Sequence, residues 1–536
     1  LRIPSSTLIA LFFLLPLGIT GQELLPINQE IHLQLDRALT LSNSEAHTSF
    51  RPLLYHNIKK YVNPDSLLIP GSKAFSKERS LLVRKALSEN LIFVDSSDFK
   101  ISIDPLLDFS IGREKEGTSI YNNSRGININ AQIGKNLWVN SSFLETQGRY
   151  PTYIDDFITK YGVAPGQTIV KEFSETDYDY GVAYGLISYT PFKFLNIQAG
   201  QGKNFIGDGY RSLFLSDNSF QYPYTKLTAN WNKLQMVSVT AMLQNINTKG
   251  IIWAPRPWES PFIKKPASFN YLTYNVSPKL QLGVFEGVVF RSPWGTALTW
   301  KFFNPVIFTR TIRYELNGEN NVILGFNGRY TPMKKLMFYG QLVIDDFKMS
   351  GLGKGHFRNR TGFQAGFKLF EPFGLKNLVI LQEYNQVRPY TYSHEFTRQT
   401  YTAYNQALAH PLGANFKEYI SIIDYRYKRW HVHTKFMLAA YGSDLKNADW
   451  GQNIFLSTIY AYQAEDFEGN FVGQGRNTTL THILIKGAYT VNPKTNLNIN
   501  FGYYGRKKTH LYVPSMISSC YFIGISTNLF NQYTDF

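Results

Sequence analysis

A chain of 536 residues with 55 basic and 39 acidic side chains, a formal charge of +16, is long enough for two to four ordinary domains or one very large one. Its 40 Phe, 35 Tyr and 8 Trp exceed what a hydrophobic core needs, yet the mean hydropathy is −0.22, and that pairing is the profile of an outer-membrane β-barrel. The single cysteine, Cys520, excludes an internal disulfide framework, a CxxC metal or redox site and an amino-terminal lipid anchor.

The first predicted element is an export signal over residues 1–21. In LRIPSSTLIALFFLLPLGITGQE, Arg2 precedes an apolar run from Leu8 to Leu17, and small residues follow at Gly18 and Gly21, so cleavage is expected near Gly21 or Gln22. The run is shorter than the roughly 18 residues that a membrane span requires, and Pro16 ends it. After residue 22 no uncharged apolar stretch is long enough for a membrane helix, which excludes a helical membrane protein. The positive charge of an exported chain suits lipopolysaccharide phosphates or acidic glycans rather than nucleic acid.

Residues 22–100 read as a small periplasmic helical segment that caps a barrel. INQEIHLQLDRAL places Ile27, Ile31, Leu35 and Leu39 at helical spacing behind Pro26, and SKERSLLVRKAL is a second amphipathic stretch.

Residues 101–536 repeat one device: an alternating strand, a short turn, a second alternating strand, then a longer connection. In RGININAQIG, Ile127, Ile129, Ala131 and Ile133 share one face and Gly126, Asn128, Asn130 and Gln132 the other; NLNINFGYY does the same with Leu497, Ile499, Phe501 and Tyr503. Hairpin tips are predicted at Pro191, Pro278, Pro332, Pro372 and Pro493, because proline presets φ for a tight turn, and at GKN, WNK and YKRW after Ile133, Asn230 and Arg426. The other connections run to about 30 residues around 148–177, 291–320, 387–415 and 443–475, and this asymmetry makes the short turns the periplasmic rim.

Upward strands are predicted to start near 101, 137, 195, 234, 280, 335, 376, 430 and 495, and downward strands near 125, 178, 223, 268, 321, 359, 416, 476 and 515. The fold class is therefore all-β, a transmembrane antiparallel barrel of about 18 strands, with room in 291–320 for an extra pair. The last strand, YFIGISTNLF, sets Tyr521, Ile523, Ile525 and Leu529 on a lipid face, and Phe536 is placed as the terminal aromatic that barrel-assembly machinery reads.

Four constellations invite a chemical reading. EYNQVRPYTYSH, residues 383–394, with His410, Asn415 and Glu418 downstream, supplies an acid, a base and a donor. It has no recognisable base-to-nucleophile spacing and no serine elbow, so catalysis is not expected. Glu383, Arg388 and His394 are expected to form a charge network tying a loop to the wall, with Tyr390, Tyr392 and Arg388 as the competing glycan surface. GQGKNFIGDGYRSLFLSDN lacks the spacing of a phosphate-binding loop; it is expected to turn inward, with Asp208, Arg211 and Asp217 paired inside the pore, and GLGKGH at 351–356 is a loop tip. HVH, His431 and His433, lacks identifiable further ligands and is read as part of an interfacial aromatic belt. No cofactor or metal site is expected.

NFIGDGYRSLFLSDNSFQYPYTKL, YGQLVIDDF, EYNQVRPYTYSH and NQALAHPLGANFKE together resemble a Bacteroidota family of outer-membrane barrels that includes the RemB-type gliding-motility proteins. The RSLFLS and RPYTYSH regions are more distantly similar to the Wzi capsule-assembly family. The resemblance implies an eighteen-stranded, plugged barrel with a periplasmic helical element, associated with retaining or organising surface polysaccharide; it supplies no ligand residues. The chain is accordingly expected to be a non-enzymatic barrel that binds or organises surface polysaccharide. The alternative is an accessory subunit of a larger outer-membrane complex for secretion, gliding or barrel assembly. The expected partners are outer-membrane lipids and lipopolysaccharide, surface polysaccharide and other outer-membrane proteins.

Overall fold

Alternation of apolar and polar residues over stretches of ten or more commits this chain to strands wetted on one face only, and a barrel satisfies every edge of such a sheet. The computed structural model describes residues 23–64, 67, 80–115, 117–174, 176–246, 262–291, 303–308, 320–445, 448–459, 468–511, 513–527 and 530–536. The export signal, most of the segment considered for an extra strand pair, the first four residues of SKERSLLVRKAL, and Asn528 and Leu529 lie outside these residues.

Among the described residues, eighteen antiparallel strands close into one barrel. They are β1 (Phe99–Glu114), β2 (Ser119–Ile133), β3 (Leu137–Arg149), β4 (Tyr178–Phe192), β5 (Leu195–Gly202), β6 (Tyr222–Trp231), β7 (Leu234–Ile246), β8 (Phe262–Ser277) and β9 (Leu280–Val289). The second half comprises β10 (Asn321–Met333), β11 (Leu336–Asp346), β12 (Arg360–Phe370), β13 (Leu378–Val387), β14 (Phe416–Tyr427), β15 (Trp430–Ser443), β16 (Arg476–Asn492), β17 (Leu497–His510) and β18 (Val513–Ser526). Each strand pairs with its neighbours in sequence, and β18 closes on β1 from Cys520 opposite Glu114 to Ser526 opposite Asp108.

The two faces divide as the alternation demands. Ile127, Ile499 and Phe501 are exposed on the outside, while Asn140, Asn498 and Asn500 are buried inside. Near the short turns, Phe194, Trp231, Tyr427 and Trp430 stand half-exposed on the outer face, an aromatic girdle at membrane-interface depth. All eight predicted tips are hairpin turns, but Pro191 and Pro332 sit one or two residues before their turns. There the ladder register shifts, between Tyr189 and Phe192 and between Tyr330 and Met333, because proline has no N–H for the ladder.

Helix α1 (Gln29–Leu41) is capped by Asn28, whose side chain accepts from Ile31 N at 3.1 Å. Of its predicted apolar stripe, Leu35 and Leu39 form a small core with Leu25, Leu53 and Ile58, the last on α2 (Tyr55–Lys59). The polar face departs from the expectation of an external cap: Gln34, Asp36 and Arg37 are buried and bond to Asp424, Lys368 and Glu371 near the short-turn ends of the wall. The helix sits inside the mouth of the lumen. By contrast α3 (Leu81–Leu87) buries no residue.

The last segment also departs from expectation. β18 ends at Ser526, and residues 530–536 turn back along the lumen until Phe536 packs at 4.7 Å against Phe157 of α4 (Thr152–Tyr161), a helix of the long connection between β3 and β4. The Phe536 carbonyl accepts from Arg506 on β17 at 2.9 Å. The aromatic is part of the luminal packing, not of a strand end at the rim.

Single-cysteine labelling checks the direction of the barrel. Cys520 is buried and supplies little background, so a thiol at position 160 should react with a membrane-impermeant reagent on intact cells, whereas thiols at 279 and 494 should react only after lysis. The reverse pattern would invert the rims.

Candidate functional site

A segment of irregular backbone can be buried only if its N–H and C=O groups find partners, and the lumen of this barrel supplies them. The connection 203–221 between β5 and β6 enters the lumen with nearly every residue buried. Glu383 on β13 accepts from the N–H groups of Tyr210 (2.7 Å) and Arg211 (3.0 Å) and from the Tyr339 hydroxyl (2.8 Å). Gln341 accepts from Leu213 N and donates to Ile206 O, and Gln364 donates to Arg211 O. Gly209 makes the approach possible, since a Cβ there would stand 2.2 Å from Glu383 Oε2.

The side chains of this loop hold the other luminal segments. Arg211 bonds Glu418 of β14 at 3.0 Å and Asp535 of the tail at 3.3 Å, with its guanidinium 5.0 Å from the ring centre of Tyr210 and 5.9 Å from that of Tyr533. Lys435 and the Tyr210 hydroxyl reach Asp535 at 2.8 and 2.7 Å. Burial by itself would raise the Asp535 carboxyl, but Arg211 and Lys435 outweigh it and hold it well below the usual carboxylate range. Asp208 accepts from Ser49 (2.8 Å) and Asn327 (3.1 Å), and Asp217 from Tyr533 (2.6 Å) and Asn531 (2.8 Å). The expected inward turn is present, but these three residues pair with the wall and the termini rather than with one another.

The connection 388–415 fills the opposite side of the lumen. Tyr390 and Tyr392 are 6% and 0% exposed, and their hydroxyls donate to Asp449 O and Leu213 O. Arg388 donates to the carbonyls of Asn359 and Asn470, and His394 Nδ1 accepts from Phe396 N. Glu383, Arg388 and His394 therefore do not form the expected common network, and the two tyrosines are buried anchors rather than a glycan surface. His410 donates from Nε2 to Glu418 at 2.7 Å while its Nδ1 accepts from Leu412 N at 3.2 Å, the pattern of one neutral tautomer. Burial lowers this imidazole below its ordinary value against the pull of Glu418.

The amino-terminal segment completes the plug. Phe50–Arg51 pairs with Phe205–Ile206 as a two-stranded ribbon inside the barrel. His47 lies against Thr273 (2.7 Å), Gln281 (3.1 Å) and Asn275 (3.3 Å), so amide N–H groups face both ring nitrogens. Burial, then Arg329, lowers this imidazole from 6.5 to about 4. A lowered histidine is protonated first in the unfolded state. Its contribution is complete above pH 6.5 and is lost as pH falls from 6.5 to about 4. With allowance for partial exposure the effect is on the order of 2 kcal/mol. Limited proteolysis of residues 23–64 should accelerate across that window, and His47→Asn should remove that component of the pH dependence.

Two spaces remain. A luminal cavity of about 360 Å³ is lined by Tyr150, Tyr180, Tyr504, Asp108 and Lys486 among others. At the long-loop rim a recess of about 480 Å³ is lined by Lys264, Phe290, Arg291, Phe396, Arg398 and Ile459, with Arg291 4.9 Å above the Phe396 ring. None of the residues singled out in the sequence lines this recess, because three separate connections assemble it. The sequence carries no local signal for it beyond the basic and aromatic bias of its loops.

His431 and His433 also depart from expectation: both are buried and face the lumen, each bonded to Asp424 at 2.6 and 3.1 Å, while Trp430 and Val432 before and between them face outward.

No family model matches the chain, and no curated protein sequence matches it. Among solved structures, OprD of Pseudomonas aeruginosa aligns at 9% identity and TM-score 0.40 over 82% of this chain and 97% of its own. OccAB2 of Acinetobacter baumannii aligns at 14% and 0.41 over 79% and 97%. Wzi of Escherichia coli, described as a carbohydrate-binding β-barrel involved in group 1 capsule assembly, aligns at TM-score 0.55 and 12% identity over 95% of this chain and 99% of Wzi. The chain is a closed, eighteen-stranded antiparallel β-barrel whose fold is similar to that of Wzi from end to end.

Proposed function

We propose that this barrel is a closed, non-enzymatic binder of surface polysaccharide, of the capsule-assembly or gliding-motility type, with the rim recess as its contact. The observation that carries the reading is the filled lumen. The loops 203–221 and 388–415, helix α1 and the segment 530–536 occupy the space through which a porin would pass solutes, and charge-assisted hydrogen bonds fix them there. Binding is thereby left to the outer rim. A recess carrying Lys264, Arg291 and Arg398 beside Phe290 and Phe396 offers hydrogen-bond donors for acidic sugars and ring faces for their C–H surfaces. The description of Wzi as carbohydrate-binding supports the same reading.

Replacing Arg291, Phe396 and Arg398 by alanine together should weaken retention of acidic polysaccharide by about tenfold or more, at about 0.5 to 1.5 kcal/mol per contact, with heat-modifiability unchanged. Binding of acidic polysaccharide to the purified barrel at native strength in that variant would remove the recess from consideration.

A second reading, accessory subunit of a larger outer-membrane complex, is favoured by one observation. Helix α3 and the strand Ile92–Asp95, which extends the edge of β1 at the short-turn rim, leave Leu81, Leu82 and Phe93 more than half exposed. Stoichiometric co-purification of a second outer-membrane protein in mild detergent, lost on changing Leu82 and Phe93 to serine, would favour it.

A further inference from the structure

We propose that Asp424, His431 and His433 form a binding site for a transition-metal dication of the zinc type, where helix α1 seats against the barrel wall. The tight turn between β14 and β15 sets Asp424 directly opposite His433, and the period of two places His431 on the same inward face. Asp424 Oδ2 lies 2.6 Å from His431 Nε2 and 3.1 Å from His433 Nδ1, and one donor atom from each residue lies within 4.8 Å of the others. Two imidazole nitrogens and one carboxylate oxygen suit zinc, cobalt or nickel, not the all-oxygen preference of calcium or magnesium. Metal bonds of about 2.0 to 2.1 Å need donor separations of about 3.3 Å, so the two Asp424 contacts have to open by less than about 1 Å and the two imidazole nitrogens have to close by no more than about 1.5 Å. His433 and Glu30 line the luminal cavity, which gives water a route to a fourth position.

An independent observation points the same way. The second ring nitrogen of His431, Nδ1, stands 3.4 Å from Glu30 Oε2 on helix α1. A neutral imidazole has one N–H and cannot donate to Asp424 and Glu30 together. A metal on Nε2 resolves the conflict, because Nδ1–H then donates to Glu30, the carboxylate–histidine–metal arrangement that orients such ligands. Gln34, one turn further along α1, donates to the other oxygen of Asp424 at 2.7 Å. Both supporting contacts come from the plug helix, so a bound ion would fasten that helix to the wall. The neighbouring cations are Lys486, which pairs with Glu30, and Arg426, which donates to the Glu30 carbonyl; the Arg426 charge also acts on Asp424 and His431, though it hydrogen-bonds neither.

The test uses tag-free, full-length barrel in detergent, stripped with chelator and titrated at pH 7.5 with Co²⁺ and then Zn²⁺. One equivalent of Co²⁺ should bind with the visible absorption of a low-coordinate nitrogen–oxygen site and be displaced by Zn²⁺, and millimolar Mg²⁺ or Ca²⁺ should not compete. Glu30→Gln should weaken binding about 10- to 100-fold without changing the stoichiometry. His431→Ala with His433→Ala should abolish binding while the barrel remains heat-modifiable. X-ray absorption at the zinc edge of the loaded native protein, which needs no variant, should show two imidazoles and oxygen. Absence of saturable binding would overturn the proposal in favour of an imidazolium bridging the two carboxylates, and so would binding that survives in the double variant or an edge spectrum without imidazole.

Discussion

Replacing Arg211 by methionine should leave the barrel wall assembled and release the plug. The guanidinium is 2% exposed and holds three segments at once: its own loop, Glu418 of β14 and Asp535 of the tail. Methionine keeps much of the volume but takes the guanidinium from two buried carboxylates, leaving Glu418 with His410 and Asn385 and Asp535 with Lys435 and the Tyr210 hydroxyl. Breaking a buried pair by removing one partner costs about 3 to 5 kcal/mol, because the remaining charge stays desolvated. The wall does not share that loss, since its ladders run unbroken from β1 to β18 and close again on β1. The variant should therefore stay heat-modifiable while trypsin cuts within 203–221 and planar-bilayer recordings, expected to be silent for the native protein, show flickering conductance. Arg211→Lys should fall between the two, since an ammonium cannot reproduce the forked contacts with Glu418 and Asp535. Native protease resistance and a silent bilayer in the methionine variant would show that the plug does not depend on this residue.

What the sequence revealed and what it concealed have different physical origins. A transmembrane strand meets lipid on one side and the lumen on the other, so its period of two is written locally. Starts expected near 137, 195, 234, 280, 321, 416, 430 and 476 are the observed ones. The largest misses are β2 and β8, which begin at Ser119 and Phe262 rather than near 125 and 268. In β2 the extra residues, SIYNNS, lack the clear alternation of the stretch after them. Luminal partners are not written locally at all. Glu383 serves Tyr210 and Arg211 from 173 and 172 residues away, whereas proximity in sequence favoured Arg388 and His394. The inward direction of His431 and His433 was readable from the outward Trp430 and Val432, but only the opposing strand supplies Asp424, and only helix α1 supplies Glu30.

Tyr392→Ala separates loop anchoring from sugar contact. The side chain is fully buried, its hydroxyl donates to Leu213 O at 2.8 Å, and its ring lies 5.8 Å from that of Tyr401. It therefore joins the two inward loops to each other. Its φ of 71° and that of Tyr390, 65°, are left-handed values that bulky residues adopt only when their surroundings enforce them. Truncation to alanine removes the ring and leaves a cavity, a loss of about 3 to 5 kcal/mol in loop stability. Phenylalanine removes one hydrogen bond, about 1 kcal/mol. Limited proteolysis should accordingly cleave the alanine variant within 388–415 at protease concentrations that leave the native and phenylalanine proteins intact. Polysaccharide retention should decline only in step with that cleavage. Loss of retention in an alanine variant whose proteolysis matches the native protein would return Tyr392 to the sugar-binding surface, and the anchoring role argued from its burial would be wrong.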